Sequence, residues 1–327
     1  MTSMGKQYNY CLDYIKGIAC IFVVWMHCEF PGILGIAVQA VSRFSVPLFF
    51  MVSGYFCFSS NGGSNLRRKI GHVAKITFYS CLFYLCFKLF LHLVFQNQSF
   101  ILSFQKLVRW MVFNTPPIVA GQYWFLFALL YTYIFFFIIR RFCSNRSLYL
   151  LAALMFIIYI LLAQGTHLAG IHLPNHLYRN WLVEGYAFFM LGHFLHEYQD
   201  RINVNNSTII SIMVVFTILC WLERYILGRD FGVNICTIPQ VTAMMLYAIK
   251  NPMRHKGMIQ ELGKRCSMFV YILHPAIWHL TESVYKNAGV LDNMTALYLM
   301  PIIVIIATIL ISFLCDSVLI KTNRSYA

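Results

Sequence analysis

The stretch LDYIKGIACIFVVWMHCEFPG, residues 12–32, is long and apolar enough to cross a bilayer as one helix. It nevertheless carries Asp13 and Lys16 near one end and His27 near the other. An ionisable group at the centre of a membrane helix costs about 2.5–3.5 kcal/mol on insertion scales. Three such groups in one span therefore indicate a role beyond anchoring the chain.

The composition of the whole chain agrees with this membrane interpretation. Of its 327 residues, 60% are hydrophobic and 11% are charged, whereas charged residues make up about 25% of a soluble domain. We expect an all-α membrane protein, a single domain over residues 1–327 that forms a polytopic bundle of about ten transmembrane helices, because barrel strands would alternate with period two. The expected spans are 12–30, 34–58, 76–95, 123–139, 148–163, 181–196, 208–227, 234–249, 267–285 and 295–320.

The net charge of +14 could indicate a nucleic-acid partner, but basic residues of membrane proteins usually gather in cytoplasmic loops. With the N-terminus inside, the inner segments contain more than twice as many Lys and Arg residues as the outer segments. We therefore expect both termini in the cytoplasm, membrane lipid around the bundle and no nucleic-acid partner. Between spans three and four we expect an interfacial helix around Phe104 to Phe113, ended by Pro116 and Pro117.

The ionisable groups of the first span fall on one stripe. Lys16 and His27 are eleven residues apart, which on a helix means about 16.5 Å of rise and three turns plus about 20° of rotation. Asp13 lies within about 60° of the same stripe. Asp13 and Lys16 could be interfacial side chains and His27 a packing residue, or the stripe could provide polar chemistry at two depths of the membrane.

Polar residues also occur in the second span. Arg43 is expected at the outer mouth of span two, and Ser53 and Tyr55 flank a glycine deep inside it that could serve helix packing alone.

A basic face begins span three. Arg68, His72 and Lys75 follow at i, i+4 and i+7, so they share one helix face that could hold a phosphorylated ligand. Topology alone would also explain their charges.

Later segments contain further candidates. His274 precedes Pro275 inside span nine, where the proline removes a backbone donor. Glu184 and Arg179 form a candidate pair at the start of span six. We expect no metal site, because the loop histidines lack both a zinc-binding spacing and a carboxylate. These histidines are His167, His172 and His176.

Four ordered motifs resemble those of the acyltransferase-3 family of integral membrane acyltransferases, over about residues 10 to 280. The motifs are DYIKGIACIFVVWMH (13–27), RFSVPLFFMVSGY (43–55), WFLFALL (124–130) and YILHP (271–275). Two features depart from the family pattern: Lys16 stands where the family often has Arg, and the paired-arginine motif before span three is replaced by Arg68, His72 and Lys75.

The resemblance implies an O-acetyltransferase type of enzyme in the bacterial inner membrane. Such an enzyme moves an acyl group, most often acetyl, from cytoplasmic acyl-CoA to a hydroxyl of a cell-envelope polysaccharide or lipid-linked glycan. We expect acyl-CoA, with acetyl-CoA first, as a cosubstrate and no bound cofactor. The sequence favours no oligomeric state.

The resemblance also implies roles for individual residues. His27 would be the general base or acyl-relay residue, with Asp13, Lys16 and Glu184 as further catalytic candidates. Lys16 and the basic face of span three would bind the phosphates of the donor, and Arg43 and Glu184 would orient the sugar or assist His27. The remaining candidates for an acceptor or structural site are Ser53, Tyr55, Trp124 and His274.

Two other classes of function stay open at this stage. In a secondary transporter or flippase, the charges within the membrane would form a proton relay. Such a protein would need no acyl-CoA and would more often show inverted repeats, which the sequence lacks. In a non-catalytic partner of a glycan-assembly complex, the stripe that ends at His27 would have no use.

Overall fold

The computed structural model describes residues 9–58, 63–95, 104–114, 121–253 and 257–325. Within these ranges all regular secondary structure is helical, which confirms the predicted all-α class. Helices suit a bilayer because each helix satisfies its own backbone donors and acceptors, which find no water in hydrocarbon.

The helices are named in chain order. They are α1 (Tyr10–His27), α2 (Gly32–Ser42), α3 (Ser45–Phe58), α4 (Gly63–Phe95), α5 (Phe104–Phe113), α6 (Trp124–Ile139), α7 (Asn145–Ile160), α8 (Thr166–Leu168), α9 (Ala187–Tyr198), α10 (Asn206–Leu227), α11 (Thr237–Lys250), α12 (Met258–Glu261), α13 (Ser267–Asn287) and α14 (Met294–Ser325). Three π-helical turns, Leu161–Gly165, Trp181–Tyr186 and Leu262–Cys266, stand directly before α8, α9 and α13.

Each of the ten predicted spans coincides with a helical segment. In the described part of the chain, seven segments are long and apolar enough to cross a membrane. They are Tyr10–His27, Gly32–Phe58, Asn65–Val94, Gly121–Ile139, Asn145–Leu168, Asn206–Leu227 and Met294–Leu319. The helix predicted around residues 104–113 is present as α5, whereas Pro116 and Pro117, which were predicted to end it, lie outside the described residues.

Contacts divide the chain into two compact units. The first unit comprises residues 1–48, 201–229 and 233–327, with α1, α2 and α10 to α14. Near the start of α1, Asn9 donates to the Ala248 carbonyl at the end of α11, over 2.8 Å. Helix α11 therefore runs opposite to α1. That the chain forms a single domain stays a prediction.

Two glycines set the distance between α1 and the segment that contains α12 and α13. A Cβ at Gly17 would lie 2.0 Å from the Ile259 carbonyl oxygen, and a Cβ at Gly263 would lie 1.9 Å from that of Asp13. Small residues allow such close approach between membrane helices. Gly17 lies beside Gly263, and further along both helices His27 lies beside His274. Helices α1 and α13 therefore run in the same direction.

The second unit comprises residues 49–200 and 230–232. Here α3 and α9 run in the same direction and meet through another pair of glycines, since Phe50 lies beside Gly185 whereas Tyr55 contacts His196. A Cβ at Gly54 would lie 1.8 Å from the Phe189 carbonyl oxygen, and one at Gly192 would lie 1.9 Å from that of Met51. The glycine between Ser53 and Tyr55 is therefore a packing glycine, as one of the two interpretations of that motif predicted.

We expect Gly17→Ala to destabilise the protein by about 1–3 kcal/mol, because the added methyl group overpacks a helix contact that cannot yield without moving backbone. The control is Gly71→Ala on α4, where an added Cβ meets no atom within 4 Å. Alanine should stabilise that helix position by about 0.5–1 kcal/mol. Melting temperatures of the two purified variants in one detergent test this contrast, and equal values would contradict the close approach of α1.

Candidate functional site

The first unit contains the stripe of ionisable groups on α1. Lys16 Nζ lies 3.1 Å from Asp13 Oδ1, and the two side chains are 17% and 6% exposed. Charged groups that leave water need a partner, which each supplies to the other here. The i, i+3 spacing on α1 thus produces a largely buried ion pair rather than two side chains extended into water.

His27 is the last residue of α1 and is half-buried. Its ring stacks on the ring of His274, with 5.4 Å between centroids and 26° between planes. The parallel packing of α1 and α13 brings the two rings to the same level. The sequence indicated both histidines separately but did not predict this contact.

His274 is only 1% exposed, and its ring orientation is set by the backbone. Nδ1 lies 2.9 Å from the Val270 carbonyl oxygen, which can only accept a hydrogen bond, so Nδ1 carries the proton. Nε2 is buried and has no hydrogen-bond partner among the described residues. The ring therefore presents an unused ring nitrogen beside His27.

Arg43 is the remaining candidate of the first unit. It is the C-cap residue of α2 and is buried.

In the second unit, Glu184 lies in the π-helical turn Trp181–Tyr186 and is 1% exposed. Asn180 caps this turn by accepting hydrogen bonds from the backbone N–H groups of Leu182 and Val183. The sequence placed Glu184 in a membrane span but gave no sign of the π-helical turn that carries it.

Trp124 begins α6 and is buried. The guanidinium carbon of Arg179 lies 4.7 Å from the centre of the Trp124 ring, within the range of a cation–π contact. This face of the indole is therefore covered by a cation, so a sugar could stack there only after Arg179 moved.

Tyr55, near the end of α3, donates from its hydroxyl to Gln199 Oε1 over 2.8 Å, and its ring lies 4.4 Å from that of His196. Ser53, two residues earlier, is half-buried and forms a side-chain hydrogen bond with Tyr133.

Arg68, His72 and Lys75 share an exposed face of α4, as their spacing predicted. Arg68 Nη2 donates to Asn65 Oδ1 over 2.7 Å. This face is open to a ligand.

One polar cluster of the second unit was not predicted from the sequence. Tyr149 on α7 lies 2.8 Å from His193 Nδ1 and donates its hydroxyl proton to Glu197. Because the carboxylate only accepts and the phenol has one proton, His193 Nδ1–H must donate to Tyr149. Asn145 also donates to Glu197, over 2.8 Å. The i, i+4 spacing of His193 and Glu197 was the available signal.

The histidine of α8 and the two that follow it before Trp181 contact aromatic rings. The rings of His167 and His172 are 5.4 Å apart, and His176 lies 5.0 Å from Phe113. Burial, and then the charge of Arg109, lower the pKa of His176 below its usual value. Across the described ranges, no group of three or more His, Cys, Asp or Glu residues is arranged to hold a metal ion.

Comparison with protein families gives one match. The sequence model of a family described as an acyltransferase domain matches residues 9–317, and these residues include every candidate named above. Comparisons with curated proteins and with solved structures give no significant match.

Proposed function

The chain belongs to the acyltransferase-3 family of integral membrane acyltransferases, and from this premise we propose that it moves an acetyl group from cytoplasmic acetyl-CoA to a hydroxyl of a cell-envelope polysaccharide or lipid-linked glycan. The observation that carries the proposal is the stacked pair of His27 and His274 within the region matched by the family. The proposed setting is the bacterial inner membrane, with both termini in the cytoplasm.

His27 is the proposed general base. It takes the proton of the acceptor hydroxyl while the oxygen attacks the thioester carbonyl, and the carbon–sulfur bond then breaks to release coenzyme A, whose thiolate takes up a proton. Alternatively, a ring nitrogen of His27 attacks the thioester carbonyl first, the carbon–sulfur bond breaks, and the coenzyme A thiolate takes the proton of the other ring nitrogen. The acceptor oxygen then displaces the imidazole from the acyl group, and the acceptor proton returns to the ring. Both routes require an accessible imidazole, and the half-buried position of His27 supports them.

His274 is the proposed positioning residue for His27. Its ring is fixed by burial and by the hydrogen bond from Nδ1 to Val270, so it offers a rigid surface against which the His27 ring stacks. Rigid support matters because a displacement of about 1 Å in a reacting group can lower the rate about 10²-fold.

The ion pair on α1 is proposed to act at the donor end. The Lys16 ammonium has three N–H groups, and one of them donates to Asp13. The remaining N–H groups of Lys16 could bind an oxygen of the acyl donor. Asp13 stabilises the ammonium where water is scarce.

The proposed acceptor residues are Arg43 in the first unit and four residues in the second. We assign Arg43 and Glu184 to the orientation of the sugar and the assistance of catalysis. Both are charged groups buried from water, where an electrostatic interaction with a bound ligand is stronger than in bulk water. Within the second unit, Ser53 and Tyr55 are proposed to supply hydroxyl groups to the acceptor, and Trp124 to supply an aromatic ring once Arg179 moves off its face.

The exposed face of Arg68, His72 and Lys75 is proposed to bind the phosphates of the donor. Arg68→Ala should raise the KM for acyl-CoA about tenfold and leave the KM for the acceptor unchanged, because a charge-assisted bond to phosphate acts on one ligand only. Steady-state kinetics with each substrate varied in turn would measure both constants. An unchanged donor KM would leave these charges with a role in topology alone.

Mass spectrometry of envelope glycans tests the proposed function. Strains with and without the gene should differ by the mass of acetyl groups on a glycan. The proposal is wrong if the glycans are identical in acetylation but differ in amount or in the side of the membrane on which they accumulate. That phenotype would indicate a transporter or flippase.

A further inference from the structure

Three arginines surround one aromatic ring in the second unit. The guanidinium carbons of Arg67, Arg140 and Arg141 lie 5.5, 5.7 and 4.5 Å from the centre of the Phe137 ring. All three guanidinium carbons lie within 5.7 Å of the centre of the Phe137 ring, so they are near neighbours of one another. The three charges therefore form a single cluster, which we name the Phe137 arginine cluster.

The cluster joins two helices. Arg67 lies in the second turn of α4, and Arg140 and Arg141 follow Ile139, the last residue of α6. Arg67 and Arg141 are exposed, and Arg140 is half-buried. Arg67 precedes Arg68 by one residue, which is about 100° around a helix. Arg67 therefore lies about a quarter turn around α4 from the donor face formed by Arg68, His72 and Lys75.

Carboxylates of the described residues do not neutralise the charges of the cluster. In the part of the chain that the structure describes, none of the three forms an ion pair with a carboxylate. Glu197 and Arg140 both act electrostatically on His193. The Glu197 carboxylate, however, is engaged by hydrogen bonds from Tyr149 and Asn145.

Ordinary explanations account for only part of the cluster. The C-terminal end of α6 favours Arg140 and Arg141 through the helix dipole. Arg67 lies near the opposite kind of helix end, where the dipole gives a cation no such benefit. The excess of basic residues on one side of the membrane fixes the sign of the charge but does not direct three guanidinium groups onto one ring.

We propose that the Phe137 arginine cluster binds a phosphate group of a larger molecule. Guanidinium groups present paired N–H donors that match two oxygens of a phosphate, and the ring of Phe137 holds the three groups together by cation–π contacts. Two molecules could supply this phosphate: the nucleotide part of the acyl donor and the headgroup of an anionic lipid. Only the first of these identifications rests on the proposed function.

Binding measurements on the full-length protein in nanodiscs test this site. Arg141→Gln should weaken binding about tenfold, and Arg67→Gln/Arg141→Gln about 100-fold, because each exposed guanidinium contributes a charge-assisted bond. The matched control is Arg146→Gln, which removes one exposed guanidinium from the start of α7 and should leave binding unchanged. Two probes are used: adenosine 3′,5′-bisphosphate by calorimetry, and phosphatidylglycerol retention against phosphatidylcholine by native mass spectrometry.

The probes separate the two sources. A loss confined to the bisphosphate identifies the donor nucleotide, and a loss confined to phosphatidylglycerol identifies the lipid headgroup. If neither probe distinguishes the double variant from Arg146→Gln at equal melting temperature, the site does not exist. Both measurements are made without acyl transfer, so they keep their meaning even if the envelope glycans show no acetylation and the proposed function fails.

Discussion

His27→Gln is expected to lower the rate of acyl transfer about 10²–10⁴-fold at unchanged expression and membrane insertion. This is the usual loss when a general acid or base is removed. Glutamine fills a similar volume and can keep a hydrogen bond, but it can neither take up a proton near neutral pH nor hold an acyl group. His27→Ala should be equally inactive.

The packing interpretation of His27 predicts a different result. If the ring only joins helices, His27→Gln should retain most of the activity and lose about 1 kcal/mol of stability. Lys16→Arg is the control on the same helix, because it keeps the charge beside Asp13 and restores the residue that the family more often has. We expect it to remain active. A His27→Gln enzyme with near wild-type rate would remove His27 from the chemistry.

His274→Ala is expected to lower kcat about 10²-fold, because the His27 ring would lose the surface that it stacks on at 5.4 Å and could turn away from its reacting position. His274→Phe keeps an aromatic surface but no ring nitrogen. If His274 acts by positioning, the phenylalanine variant should recover most of the activity that the alanine variant loses.

Kinetics at equal melting temperature distinguish the two roles of His274. The buried Nε2 atom has no hydrogen-bond partner among the residues described, so it is also a candidate for direct contact with substrate. Equal losses in His274→Phe and His274→Ala would contradict the positioning role and assign the chemistry to this nitrogen.

The helical segments were predictable because membrane thickness and backbone hydrogen bonding leave few alternatives. Apolar runs of the required length therefore reported the positions of α1, α10 and α14 closely. The pattern at Arg68, His72 and Lys75 was equally readable, since a shared helix face depends only on residues within one helix.

The contact between His27 and His274 could not be predicted in this way. It depends on the close approach at Gly17 and Gly263, which are far apart in the sequence and meet only because α1 and α13 pack in parallel. Helix periodicity gives the face of each helix but not its neighbour. The same reason explains why the contact of Arg67 with Phe137 and the bond between Tyr149 and His193 were missed.

Trp124 illustrates a different limit of sequence reasoning. Its motif and its aromatic ring made it a candidate for an acceptor site, but the ring is buried under the guanidinium group of Arg179. A motif identifies which residues a family retains together, and it does not separate residues that touch substrate from residues that hold the helices in place.

Transfer of label by the purified protein decides the proposed chemistry. Full-length protein in nanodiscs would receive acetyl-CoA with an isotopically labelled acetyl group together with an envelope glycan fraction. The proposed function predicts labelled acetyl esters on the glycan and one free coenzyme A thiol for each ester formed, with both absent for His27→Gln. Unlabelled glycan and intact acetyl-CoA in the presence of the wild-type protein would contradict it.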